Sequence, residues 1–263
     1  MSFFQSASKV LLATLVCLGL LASGAKAQDR ISTVAAMEKG TVGIGTFDPV
    51  RRPQNELLGA GFAVGDGRHI ITAAHVINAR DVASESRAAY LAVFAGRGED
   101  ATIRRATIAF EDPGNDVAVV RIDGQPVHTL SLASSDEMQP AGAEVLFTGY
   151  PIGAVYGLYP ATHRGMIAGI SPIARPAVSA RGLSAEAIRR IDQQLVAYQL
   201  DATSYPGNSG GPLVDPASGR VIGLINSTFV QATKESALER PSGVTFAIPV
   251  EHLRAALRQA GQL

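Results

Sequence analysis

Tyr205-Pro206-Gly207-Asn208-Ser209-Gly210-Gly211-Pro212 is the most constrained stretch of this 263-residue chain. One hydroxyl stands between glycines on both sides, and prolines close both ends. Glycine tolerates positive φ and lets the backbone approach a ligand closely. Peptide N–H groups turned the same way form a site for a developing negative charge. Two readings follow. Glycine, proline, serine and asparagine are also the usual turn residues, so the stretch alone fits a surface turn equally well. As a chemical site it makes Ser209 a nucleophile, with the N–H groups of Gly207 and Ser209 as oxyanion donors. A serine hydroxyl is a weak nucleophile until a base takes its proton. The choice turns on whether the rest of the chain supplies that base.

Two segments do. Thr72-Ala73-Ala74-His75 follows the apolar pair Ile70-Ile71, and Asn115-Asp116 opens the apolar run Val117-Ala118-Val119-Val120. A histidine in such a setting is either a satisfied core residue or a base, and the serine loop favours the base. Asp116 is the candidate orienting acid; Asp112, Asp123 and Asp201 are its rivals, the first two among turn residues.

With these residues in view the chain resembles the trypsin-like (chymotrypsin-fold) serine proteases, and most closely the protease domain of the bacterial HtrA/Deg type. The resemblance rests on Gly59-Ala60-Gly61-Phe62, Thr72-Ala73-Ala74-His75-Val76, Asn115-Asp116-Val117-Ala118-Val119, Gly207-Asn208-Ser209-Gly210-Gly211-Pro212-Leu213 and Phe246-Ala247-Ile248-Pro249. It covers residues 40 to 255. It implies a serine endopeptidase working through an acyl-enzyme, with His75, Asp116 and Ser209 as catalytic residues and Gly207 and Ser209 as the oxyanion hole. It implies protein or peptide substrates and no cofactor. The alternative on the same fold is a peptide-binding pseudo-protease or chaperone-like module.

The chain itself reads as short strands at turn-marked intervals with little helix, an all-β pattern. Thr41–Phe47, Gly59–Val64, His69–Thr72, Tyr90–Phe94, Thr102–Phe110 and Val117–Ile122 are expected strands of a first half. Asp66-Gly67 marks a hairpin, which makes His69 an exposed hairpin residue. Glu144–Tyr150, His163–Ile170, Arg220–Asn226 and Gly243–Ile248 are expected strands of a second half. The resemblance sharpens this to two antiparallel six-stranded β-barrels, about 40–125 and 130–250, with the active site in the cleft between them. His75 and Asp116 then come from the first barrel and Ser209 from the second. Helices are expected over Ser184–Leu195, in an insert at 172–197 that is either a lid or decoration, and over Val250–Gln259 with Leu253, Ala256 and Leu257 as its buried stripe.

Three departures from relatives bear on function. Zymogen-activated relatives carry an acid just before the nucleophile; here Asn208 stands there, so activation by N-terminal clipping is not expected. HtrA proteins usually carry PDZ domains after the protease, and the 14 residues after Pro249 (263 − 249) are too few for one. Thr203 matches the base of the trypsin specificity pocket and is not acidic, so cleavage after Lys or Arg is not expected. Thr203 with Ile225, Asn226, Phe246 and Ala247 suggests a modest, mostly apolar substrate pocket.

Residues 1–27 read as a secretory signal peptide: Lys9, the apolar run Val10–Ala22, and the small-residue site Ala25-Lys26-Ala27. At about 1.5 Å per residue such a run falls short of the roughly 30 Å hydrocarbon core. Residues 28–263 are then one trypsin-like domain, secreted or periplasmic, with no stable membrane insertion. Removing Lys9 and Lys26 leaves 21 basic against 23 acidic residues, a net charge of 21 − 23 = −2. That balance gives no electrostatic case for nucleic acid or an anionic membrane. Cys17 is the only cysteine and leaves with the signal; no disulfide or cysteine metal site is expected. His128, His163 and His252 have no partner at metal-ligand spacing, so no metal is expected. Mass spectrometry of the exported protein is expected to find Gln28 at its N-terminus. A start at Met1 in a membrane fraction would indicate an anchor instead.

Overall fold

Each strand of such a chain must hide an apolar face, and a sheet that closes on itself does so without leaving an edge. The chain closes twice. The computed structural model describes residues 30–79, 88–134, 138–153, 157–173, 195–226 and 243–262. Helix α1, residues 30–40, leads into β1 (Thr41–Phe47). With β2 (Asn55–Val64), β3 (His69–Thr72), β4 (Tyr90–Ala95), β5 (Thr102–Asp112) and β6 (Val117–Ile122) it forms a closed barrel in the order β1-β2-β3-β6-β5-β4. Helix α2 (Ala74–Asn78) follows β3. The second barrel contains β7 (Glu144–Gly149), β8 (Ala161–Ile173), β9 (Leu195–Asp201), β10 (Pro212–Asp215), β11 (Arg220–Asn226) and β12 (Val244–Pro249). It closes in the order β10-β11-β12-β9-β8-β7, and helix α3 (Val250–Gln259) follows it. This is the two-barrel, antiparallel architecture expected from the sequence.

Side chains alternate with period two along a strand. In barrel two Val145, Phe147 and Leu213 point inward with Ile167, Tyr198 and Leu200. Their neighbours Leu146 and Val214 turn outward and join a core that also holds the barrel-one interior. Both faces are buried, which is why these strands read as continuous apolar runs. The connection between barrels is stapled to each. Val127 N–H donates to Gly67 O and Leu130 N–H to Ala63 O, both at 2.8 Å. Ala133 N–H donates to Val221 O at 2.8 Å, and Val221 N–H to Ser131 O at 2.9 Å.

Two local expectations are corrected. His69 is buried at 6% exposure, because β3 lies between β2 and β6 and pairs His69 with Val64 and Arg121. Its Nδ1 lies 2.9 Å from Asp66 Oδ1. Leu195 is not the end of a helix but the first residue of β9, paired with Ile173; strand pairing overrides its helical periodicity. The rest of that expected helix, residues 184–194, lies outside the described residues, as does the signal segment.

Helix α3 packs across β5, β6 and β11 and so bridges the barrels. Val250, Leu253, Ala256 and Leu257 form its buried stripe. Gly261, at φ 72°, ends it: Gly261 N–H donates to Arg258 O at 3.1 Å and Gln262 N–H to Leu257 O at 2.9 Å, a Schellman cap. Leu253 is fully buried. Leu253→Ala is expected to lower stability by about 2–5 kcal/mol in denaturant unfolding. A change near zero would mean that α3 is not seated on the barrels.

Candidate active site

The loop into β6 positions the acid. Asp112 Oδ1 accepts the Asn115 N–H at 3.1 Å and its Oδ2 accepts Asn115 Nδ2 at 2.6 Å, so this carboxylate closes a turn. The chain then passes through Asp116 at φ 55°, a left-handed conformation uncommon outside glycine. Asp116 O accepts the Ala74 N–H at 3.2 Å. Its Oδ1 accepts the His75 N–H at 2.8 Å, and its Oδ2 lies 2.7 Å from His75 Nδ1. Asn226 Nδ2, at the end of β11, donates to the same Oδ2. Main chain and ring of one histidine thus grip both oxygens of one carboxylate. The Asp116 side chain is 3% exposed and that of His75 27%. The acid is sealed, while the imidazole remains open to solvent. The rivals are elsewhere: Asp201 and Asp123 are exposed, and Asp112 is spent on its turn.

His75 lies in α2, a helix of five residues behind the buried pair Ala73 and Ala74. These methyl side chains let α2 approach β6 closely. Gly59 gives room on the other side: a Cβ there would lie 2.8 Å from Ser209 O and 2.8 Å from Val76 Cγ2. The Ser209 loop of barrel two is therefore seated against the helix that carries His75. Ala60 N–H donates to Ser209 O at 2.8 Å and fixes that seating.

Within the loop each glycine meets backbone. Gly210 has φ 87°, donates its N–H to Ile225 O at 2.8 Å, and would set a Cβ 2.1 Å from Ala60 O. A Cβ at Gly211 would lie 2.1 Å from Thr148 O. Gly211 N–H donates to Asn208 O at 3.0 Å, and Ile225 N–H returns to Gly211 O at 2.9 Å. Gly207 has φ 102°. Ser209 is 7% exposed.

Of the five expected pocket residues, Thr203 and Phe246 are half-buried, and Phe246 packs against the core shared by the two barrels. Ile225 and Ala247 are fully buried in the barrel-two core. Asn226 is fully buried and serves the acid instead. That service was missed in the sequence; the only signal was a polar residue closing the apolar run Val221–Ile225. His163, on β8, stacks on Phe147 at 4.9 Å between ring centroids and lies 6.5 Å from the Tyr205 ring. Burial holds its pKa below the usual histidine range. Among the described residues no group of three His, Cys, Asp or Glu could hold a metal. No helix among them is long and apolar enough to cross a membrane.

The sequence matches the trypsin-like peptidase domain over residues 59–224, more than half of the chain. The chain belongs to that family. It is 27% identical over 199 residues to the putative serine protease HhoB of Synechocystis sp., covering 76% of this chain and 39% of that protein. It is 30% identical over 201 residues to a probable periplasmic serine endoprotease, DegP-like, of Pseudomonas savastanoi pv. phaseolicola, covering 76% of this chain and 34% of that one. The chain thus spans little more than a third of the length of these relatives. The active form of the Rv3671c protease from M. tuberculosis superposes with a TM-score of 0.63 at 25% identity, over 88% of this chain and 85% of that one.

Asn226→Ala removes a buried donor from the Asp116 carboxylate. It is expected to cost about 1–3 kcal/mol of stability, measured by denaturant unfolding. An unchanged midpoint would show that the carboxylate is satisfied without it.

Proposed function

We propose that the chain is a serine endopeptidase of the HtrA/Deg kind. The observation that carries this reading is the two-point grip of Asp116 on His75. Holding the Nδ1 proton on the Asp116 side leaves Nε2 unprotonated and able to act as a base. Ser209 Oγ attacks a peptide carbonyl while His75 takes its proton. The N–H groups of Gly207 and Ser209 receive the oxyanion. His75 then protonates the leaving amine, and water hydrolyses the acyl-enzyme by the same route. Asp116 stays ionised and stabilises the imidazolium. The residues this mechanism uses are all carried by the chain, and it calls on no cofactor.

The finer proposals follow. Export by residues 1–27 places the protein in the periplasm or outside the cell. Thr203 offers a hydroxyl and no charge, which favours small or medium apolar side chains before the scissile bond. An unpaired Lys or Arg buried there costs several kcal/mol.

A fluorophosphonate probe is expected to label the wild-type chain at Ser209. Ser209→Ala and His75→Ala are each expected to abolish peptide hydrolysis with the fold intact, by about 10⁴–10⁶ in rate. Asp116→Asn should cost about 10⁴ through the wrong histidine tautomer. Absence of labelling, or wild-type turnover in Ser209→Ala, would remove the nucleophile and favour a peptide-binding module.

A further inference from the structure

Two Tyr-Pro turns face each other at the nucleophile loop. In Tyr205-Pro206-Gly207-Asn208 the Asn208 N–H donates to Tyr205 O at 3.0 Å, and Gly207 has φ 102°. In Tyr150-Pro151-Ile152-Gly153 the Gly153 N–H donates to Tyr150 O at 3.0 Å, and Ile152 has φ 53°. Proline second and positive φ third make both of them type II β-turns. Glycine is the usual third residue, and a β-branched side chain there is an outlier.

The turns are bonded to each other. Ile152 N–H donates to Pro206 O at 2.9 Å, and Tyr150 N–H to Gly207 O at 3.0 Å. A Cβ at Gly207 would lie 2.0 Å from Tyr150 O, so the two backbones are in contact. A trans peptide carries its C=O and N–H on opposite sides. Drawing the Pro206 carbonyl toward Ile152 turns the Gly207 N–H away from the 150–153 turn. The side chain of Asn208 does not provide this hold. It is fully buried, and neither its Oδ1 nor its Nδ2 has a hydrogen-bond partner among the described residues.

The strain at Ile152 then has a reason. A non-glycine third residue favours a type I turn, in which the Pro151–Ile152 peptide is flipped. That flip would take the Ile152 N–H off Pro206 O. Tyr150 anchors the turn against it: its ring is fully buried, and its hydroxyl donates to Thr41 O of barrel one at 3.1 Å. Burial, with the Glu38 charge adding, raises the phenol pKa, so the hydroxyl stays a donor.

We propose that Ile152 is a positioning residue: its left-handed main chain aims the N–H that orients the Pro206–Gly207 peptide, and with it the Gly207 oxyanion donor. The proposal rests on the reading of Ser209 as nucleophile and Gly207 as oxyanion donor.

The test removes that N–H and keeps the side chain. The α-hydroxy analogue of isoleucine, placed at 152 in the full chain, converts that amide to an ester. Loss of one oxyanion donor typically costs about 10²–10³ in kcat; a donor kept but unrestrained should cost about tenfold or more, with KM within about twofold. Fluorophosphonate labelling of Ser209 should slow in parallel. The same replacement at Gly157, whose N–H closes the same loop on Gly153 O at 2.9 Å, should change neither. Wild-type kcat in the 152 ester, or equal losses at 152 and 157, overturns the proposal. Hydrogen exchange of the native protein decides independently of whether the ester folds. The Ile152 amide should be protected, and exchange at the rate of an open loop overturns the proposal. A wild-type chain that neither labels nor cleaves peptide overturns the proposed function first, and this inference with it.

Discussion

One buried carboxylate joins the two barrels. Asp116 belongs to barrel one, yet its hydrogen bonding is completed by Asn226 from barrel two. A carboxylate removed from water is costly unless its oxygens are satisfied. Here two donors come from His75 and one from across the interface. Undocking the barrels would strip the third donor and expose the apolar faces of Leu146, Val214 and Leu224, which share a core with barrel one. Docking and site assembly are therefore one event. The left-handed φ of Asp116 is maintained by the same bonds, including the Ala74 N–H on its carbonyl.

The Ser209 loop is held differently, through main-chain hydrogen bonds. Ser209 O, Gly210 N, Gly211 N and O, and Gly207 O each have a main-chain partner. Positions 207, 210 and 211 lie so close to neighbouring carbonyls that no Cβ fits. The glycines let three strands and a facing turn close on one serine. Composition in this loop is thus a packing requirement as well as a conformational one.

This difference explains what could be read from the sequence. Alternation and turn residues locate strands, so Thr41–Phe47 and the stripe of α3 stand where the pattern puts them. The glycine loop is legible because close approach and positive φ both demand glycine. The direction of a side chain is not legible in this way. His69 is buried because β3 is a central strand, and Ile225 and Ala247 fall in a core because of barrel register. A one-residue shift in pairing exchanges the faces of a strand, and local sequence does not record that pairing. The left-handed Ile152 is the extreme case. Nothing in Pro151-Ile152-Gly153 announces it, since the conformation is imposed by the Pro206 carbonyl and the Tyr150 anchor.

The proposed chemistry needs fixed dipoles that do not reorganise as charge develops. Each group here is held at a distance from the atoms that react. The imidazole is oriented by a sealed acid, and the loop by Ala60, Ile225 and the 150–153 turn. Tyr150 and Asn226 carry the consequence furthest. One bonds barrel two to β1 and the other bonds it to the Asp116 carboxylate, so the same docking bears on both the proposed base and the proposed oxyanion side. A shift between the barrels would disturb the proposed proton transfer and charge stabilisation together. Neither half of the site is independent of the interface that separates them.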